Sequence, residues 1–253
     1  MTLPSLAKLG RTTARVTACI ATVVVAGCGS VDDPLANRRE GSDLLAVEIS
    51  AGNVETLVAT ATVGTVVART DPLDTSPVLV ELANPVRTGG PLVFQVVAED
   101  EDWLRVLLPV RPNGSAGWIE RDDVTLTRNP YRINVDTTSR TLVVTRLGTP
   151  VIEAEVAIGT GDTPTPIGDF YLTELLQPRR PDGPYGTYAF GLSGFSESLT
   201  EFNGGNGVIG IHGTNDPESI GTDVSHGCIR VNNDVIDELV TFLPLGTPVS
   251  ISI

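Results

Sequence analysis

Short apolar runs cut by turn residues dominate this chain from Leu44 onward, and a chain so patterned folds into strands rather than helices. Residues 66–68, 92–97, 103–108 and 117–119 each form one such run, and none continues into the 3.6-residue period of a helix face. Asn113 and Gly114 separate two of them, and both tolerate the positive φ of a tight hairpin turn, so a hairpin is predicted there. The acidic stretch 99–102 predicts a second, solvated turn. Residues 44–127 therefore read as a small β-barrel domain.

A second β-rich region covers 130–253. Ile133 and Val135 alternate with polar neighbours, 142–144 follows, and Leu147, Gly148, Thr149 and Pro150 turn the chain into 151–158, which predicts a β-meander. Pro164 and Pro166 forbid helix, and Gly168 allows a sharp bend into the next strand. Residues 177–207 are rich in Gly, Pro and Ser with Tyr185, Tyr188, Phe190 and Phe195 interspersed. They read as one long irregular stretch, either a binding loop or lid or an ordinary connection. One helix is predicted after it: Asn232 or Asn233 caps it, and Asp234 and Asp237 lie near its positive end. Val235, Ile236, Leu239, Val240 and Leu243 face inward, and Pro244 and Gly246 end it. Val249, Ile251 and Ile253 alternate with Ser250 and Ser252, which predicts a closing strand with one buried face. The predicted fold class is mainly β, with one or two short helices.

The start of the chain has a different logic. Lys8, Arg11 and Arg15 with no acid, then an apolar run over 16–26, then Gly27 and Cys28, follow the order of an export signal. The run is much shorter than the roughly 20 residues that span a bilayer. Val25, Ala26, Gly27 and Cys28 also resemble the bacterial lipobox, which implies that 1–27 is a lipoprotein signal peptide and that Cys28 carries lipid. The protein is then held by its lipid anchor at the outer face of the cytoplasmic membrane, in the cell envelope. Plain secretion, with Cys28 an ordinary signal residue, is the alternative. Residues 28–43 are polar without an apolar period and read as a tether. The net charge of −14 falls to −17 when Lys8, Arg11 and Arg15 leave with the signal. Such an acidic surface repels phosphate backbones, so no nucleic-acid partner is expected. It suits amine-bearing substrates, or simply solubility.

Cysteine usage narrows the chemistry. With Cys19 in the signal and Cys28 lipidated, Cys228 has no disulfide partner, and the fold must rest on its core. Both histidines, His212 and His226, lie close to it in sequence. A thiolate is the strongest side-chain nucleophile near neutral pH, and imidazole is its usual base. Zinc is a second reading of the same residues, with Asp216 or Asp223 as a fourth ligand, although a His226–Cys228 spacing is unusual for structural zinc. A buried structural cysteine with two loop histidines is a third. Papain-like peptidases are excluded, because their histidine lies well downstream of the cysteine and none follows Cys228. On an extended strand, residues two apart stand about 7 Å apart, beyond the roughly 3 Å that proton transfer needs. His226 therefore requires a bend at Gly227 to act as base, and His212 carries no such constraint. The N–H groups of Gly227 and Cys228 are candidates to stabilise an oxyanion.

The residues Ile211-His212-Gly213-Thr214, then a loop, then Ser225-His226-Gly227-Cys228-Ile229-Arg230, preceded by residues 163–174, resemble the catalytic domain of bacterial L,D-transpeptidases over 130–253. The resemblance implies that Cys228 attacks, that His212 is its base and that the Gly213 carbonyl orients the imidazole. It also places Ser225, His226 and Gly227 in a substrate-facing turn beside the oxyanion hole. Arg230 becomes a contact for a substrate carboxylate or a structural residue; pairing with Asp223 or Asp234 is its alternative. The implied partners are peptidoglycan stem peptides, cross-linked between third residues through a cysteinyl thioester, with carbapenems as acylating inhibitors. No metal or organic cofactor is implied. Water in place of the amine acceptor makes an L,D-carboxypeptidase. Gly117, Trp118, Ile119, Asp122, Asp123 and Val124 resemble bacterial SH3-like modules, which suggests wall binding, a spacer or a scaffold for 44–127. A non-catalytic, membrane-tethered wall-binding protein is the rival from another class, disfavoured by the intact cysteine and upstream histidine motifs.

Overall fold

The computed structural model describes residues 55–201 and 205–253, which fall in one compact unit. The signal, the tether and Cys28 lie outside the described residues. Seven strands come first: β1 (Thr56–Ala61), β2 (Thr65–Arg69), β3 (Val78–Ala83), β4 (Val93–Glu99), β5 (Trp103–Leu107), β6 (Ala116–Glu120) and β7 (Val124–Asn129). They form one antiparallel sheet in the order β3-β2-β6-β5-β4-β1-β7. The runs visible in the sequence are β2, β4, β5 and β6. The edge strand β3 was hidden by its mixed pattern, because Val78 and Leu79 are both about half exposed and the strand is held by backbone pairing to β2. Val66, Phe94, Leu104, Val106 and Ile119 are fully enclosed and make the core of this sheet.

Asn113 and Gly114 occupy the centre of a turn closed by the Ser115 N–H on the Pro112 carbonyl (3.2 Å), with Gly114 at φ +81°. That turn is only the tip of a wider connection over 108–115, however, and not a tight two-residue hairpin. Pro112 has no N–H to extend the ladder, and the Asn113 side chain is engaged with the backbone of Phe195.

The rest of the chain builds an eight-stranded sheet. Its strands are β8 (Tyr131–Asp136), β9 (Thr141–Arg146), β10 (Thr149–Glu155), β12 (Gly168–Leu176), β13 (Ala189–Phe195), β14 (Val208–His212), β16 (Ile229–Arg230) and β17 (Pro248–Ser252). The spatial order is β10-β9-β8-β17-β12-β13-β14-β16, while β11 (Ile158–Gly159) and β15 (Asp223–Ser225) pair separately. The predicted meander is β8-β9-β10, and its last turn places Leu147 and Gly148 at φ +49° and +78°, as a two-residue hairpin requires. Two neighbouring pairs run parallel, β17 with β8 and β14 with β16.

The irregular reading of 177–207 is corrected by β13, a strand in the interior of this sheet. Its glycines disguised it, because glycine lowers strand propensity. They are there for space: a Cβ on Gly194 would sit 2.5 Å from the Phe170 ring, and one on Gly191 would sit 2.8 Å from Glu174 Cγ. The single α-helix among the described residues, α1 (Asn233–Leu239), starts where expected and buries Ile236 and Leu239. Asn232 is its N-cap residue but makes no side-chain cap bond, and the Asn233 side chain serves the site instead. The closing strand stops at Ser252, so Ile253, predicted on the buried face, is 84% exposed.

Ile133, Leu142, Phe190, Ile211 and Ile229 fill the core of the second sheet. Leu142 has no exposed surface. Leu142→Ala is expected to cost about 2–5 kcal/mol, seen as a lowered urea midpoint with an unchanged slope. A loss below about 1 kcal/mol would mean that this layer is not packed as described.

Candidate active site

The site is assembled where β14 and β16 lie side by side in parallel, with Ile211 opposite Ile229 and His212 opposite Arg230. Ile211 and Ile229 are both fully buried in the core. Side chains alternate across a strand, so His212 and Arg230 project from the other face. There they line a cavity of ≈ 220 Å³ together with Cys228, whose residue precedes β16. Tyr185, Ser196 and Val208 form its walls. Cys228 is the free cysteine of the described residues and is half-buried.

Two contacts hold the His212 ring. Its Nδ1 lies 2.6 Å from the Gly213 carbonyl oxygen. A carbonyl only accepts, so Nδ1 carries the proton and the Nε2 lone pair is left for other work. The Tyr185 ring packs on the imidazole, 4.9 Å between centroids. Next along the chain, Asn233 Oδ1 at the start of α1 accepts the Thr214 N–H (3.0 Å). Gly213 has no room for a side chain there: a Cβ would lie 2.2 Å from Asn233 Oδ1 and 3.2 Å from Gly186 Cα.

The turn before the thiol is tied by Ser225. Its hydroxyl donates to the Cys228 carbonyl (2.5 Å) and accepts the Gly227 N–H (3.1 Å). Gly227 sits at φ +111°, and a Cβ there would find no atom closer than 3.5 Å, so backbone conformation and not crowding demands glycine. This corrects one expectation. The Gly227 N–H is spent inside the turn on Ser225 Oγ, which leaves the Cys228 N–H as the candidate donor.

Arg230 takes neither partner weighed for it: among the described residues no ion pair joins it to Asp223 or Asp234. Asp223 pairs instead with Arg140, at 2.7 Å, and the buried Nε of Arg230 has no hydrogen-bond partner. Its guanidinium faces the cavity as an available cation. His226 is exposed and lines the same cavity. Among the described residues no three His, Cys, Asp or Glu side chains converge as a metal site would need. Ser196 and Val208 carry no site signal in the sequence, and Asn233 reads there only as a helix cap. Tyr185 carries one, as an aromatic in a Gly/Pro-rich segment.

Burial governs the titration of both groups. Desolvation pushes the His212 imidazole down to about 4, with the Gly213 carbonyl working against the shift and the Arg230 charge adding to it. Desolvation pushes the Cys228 thiol up, opposed by the Gly210 backbone and by Arg230. At neutral pH the cavity therefore holds an uncharged imidazole that can accept a proton and a thiol that needs a base to lose one.

A lone thiol and a buried, correctly tautomeric imidazole sharing one cleft on a β scaffold define the class, a protein built for covalent catalysis by cysteine. Residues 130–251 match the family model described as the L,D-transpeptidase catalytic domain, YkuD. This part of the chain is similar to that family. Similar relatives include the putative L,D-transpeptidase YkuD of Bacillus subtilis, 37% identical over 123 residues, and its namesake in Bacillus licheniformis, 41% identical over 123 residues. Each alignment covers 49% of this chain and 66% of the relative, just under two thirds of that protein's length. Among solved structures, Bd1075 of Bdellovibrio bacteriovorus is 34% identical, with a TM-score of 0.38 over 48% of this chain and 47% of that one.

The titration is directly testable. In a nitrogen-detected NMR titration, His212 is expected to stay neutral and Nδ1-protonated down to about pH 4. Because the folded-state value lies below the unfolded 6.5, the unfolded chain binds more protons in between, so this group's contribution to stability is lost as pH falls from 6.5 to about 4. A midpoint near 6.5, or an Nε2-protonated tautomer, would contradict the geometry.

Proposed function

We propose that this chain is a peptidoglycan L,D-transpeptidase, with Cys228 as nucleophile and His212 as base. The observation that carries the reading is the shared cavity: a thiol and an imidazole whose Nε2 is free to accept its proton, presented by paired strands within a domain similar to that family. The Cys228 thiol gives its proton to His212 Nε2 while sulfur attacks the carbonyl of the third residue of a donor stem. The tetrahedral intermediate collapses, the terminal D-alanine leaves with that proton on its amine, and a thioester remains. An amine on a neighbouring stem attacks the thioester, loses a proton to His212 and forms the new amide; the proton returns to sulfur. No cofactor enters this balance.

The other residues take supporting parts. The Cys228 N–H donates to the oxyanion, an effect worth a few kcal/mol in acyl transfer. Arg230, whose buried Nε lacks a partner, receives a carboxylate of the donor stem. Gly213 fixes the imidazole tautomer, Ser225 and Gly227 shape the turn, and His226 borders the substrate. The lipobox-like residues ending at Cys28 support a lipid anchor and a place in the cell envelope, where stem peptides are found.

The test uses the purified protein with a muropeptide bearing a tetrapeptide stem. Release of D-alanine and a dimer lighter than two monomers by one D-alanine are expected by mass spectrometry, both lost in Cys228→Ala. A carbapenem is expected to add its mass to the wild type and not to Cys228→Ala. D-alanine release without dimer would assign the carboxypeptidase reaction instead. Absence of both products and of the adduct would sink the proposal.

A further inference from the structure

One wall of the cavity is made by residues that leave β13 and residues that return to β14. Ser196 and Leu199 lie on its outgoing limb, and Gly207 and Val208 on its return; all four line the cavity. The two limbs meet where the Ser196 N–H donates to the Gly207 carbonyl (2.8 Å). Inside the catalytic domain the wall is further tied by the Leu199 N–H on Ser196 Oγ (3.1 Å) and by the pairing of Phe195 with Val208.

The N-terminal sheet adds its own tie from the β5–β6 connection. Arg111 Nη1 donates to the Ser196 carbonyl at 2.8 Å, and Nη2 donates to those of Leu199 and Asn206 at 3.1 and 3.2 Å. One guanidinium thus holds both limbs. Its Cζ also lies 4.9 Å from the centre of the Phe195 ring. Two residues on, the Asn113 amide gives a hydrogen bond to the Phe195 carbonyl (2.8 Å) and takes one from the Phe195 N–H (2.9 Å), replacing a missing strand partner at the end of β13. Gly207, at φ +75°, completes the fit, since a Cβ there would lie 2.2 Å from the Leu199 carbonyl oxygen and 3.0 Å from Arg111 Nη2.

We infer that Arg111 and Asn113 are positioning residues for the transfer reaction: the N-terminal sheet sets the width of the catalytic cavity by clamping its wall. The two halves of the chain then work as one unit, and the N-terminal sheet is more than a spacer. A lysine cannot replace Arg111, because one ammonium lacks the planar fork that spans three carbonyls. The consequence for acyl transfer rests on the reaction proposed above; the consequence for the cavity does not.

The test compares wild type, Arg111→Ala and Arg111→Lys, with Arg105→Ala as control; Arg105 faces solvent on β5. Three rates are measured: alkylation of Cys228 by iodoacetamide, alkylation by a bulky fluorescein maleimide, and D-alanine release from the tetrapeptide muropeptide. Iodoacetamide reacts at the wild-type rate in both Arg111 variants, because the thiol and His212 are untouched. The maleimide reacts several-fold faster as the wall relaxes. Release falls about ten- to hundredfold in kcat/KM for Arg111→Ala, as misplacement of a substrate by an ångström does, and less for Arg111→Lys. Arg105→Ala matches wild type throughout. An unchanged ratio of maleimide to iodoacetamide rates would overturn the clamp. So would loss of both alkylation rates together, or failure of both variants to fold, since either makes the contact a matter of general stability. A wild type that never releases D-alanine refutes the proposed reaction alone, and the alkylation ratio still decides the clamp.

Discussion

The parallel pairing of β14 with β16 is the constraint on which the rest depends. It places Ile211 and Ile229 back to back in the core, and burial of two such side chains supplies on the order of 3–6 kcal/mol of apolar stabilisation that locks the register. Since alternate residues face opposite ways, the same register sends His212 and Arg230 into the cavity. A slip by one residue would bury the imidazole in the core and expose isoleucine. Function here is the far side of a packing decision.

The electrostatics follow from the same burial. A cavity enclosed enough to disfavour charge keeps the imidazole neutral and the thiol protonated, so the pair rests uncharged. Arg230 is the compensating element. Its positive charge opposes protonation of His212 and favours a negative sulfur, and it stands ready for an anionic group on the ligand. Ser225 and Gly213 add geometry at little energetic cost, one closing the turn before the thiol and the other fixing which ring nitrogen carries hydrogen.

Much of this was legible in the chain before the fold was known. Cys228 and His212 carry their chemistry in residue type, Gly213 enters only through the family resemblance, and the meander, the helix and the closing strand are written in periodicity. What stayed hidden has specific causes. β13 was invisible because its glycines answer to Phe170 and Glu174, neighbours distant in sequence. Glycine at 227 suggested an open backbone donor, yet only the folded turn reveals that Ser225 consumes it. The Arg230 partner could not be deduced either, since Asp223 had a competing choice in Arg140, over eighty residues earlier in the chain. Arg111 gave no signal at all: an exposed arginine in a loop is ordinary until three carbonyls from another sheet converge on it.

The central claim is that the imidazole from β14, and not the one beside the thiol in sequence, takes the proton from Cys228. Single-turnover acylation by a tetrapeptide stem, followed as formation of the thioester on Cys228, measures it most directly. The account predicts that His212→Ala slows acylation about 10²–10⁴-fold, the usual worth of a positioned base, while His226→Ala keeps most of the wild-type rate. Near-normal acylation in His212→Ala, with collapse in His226→Ala, would contradict it.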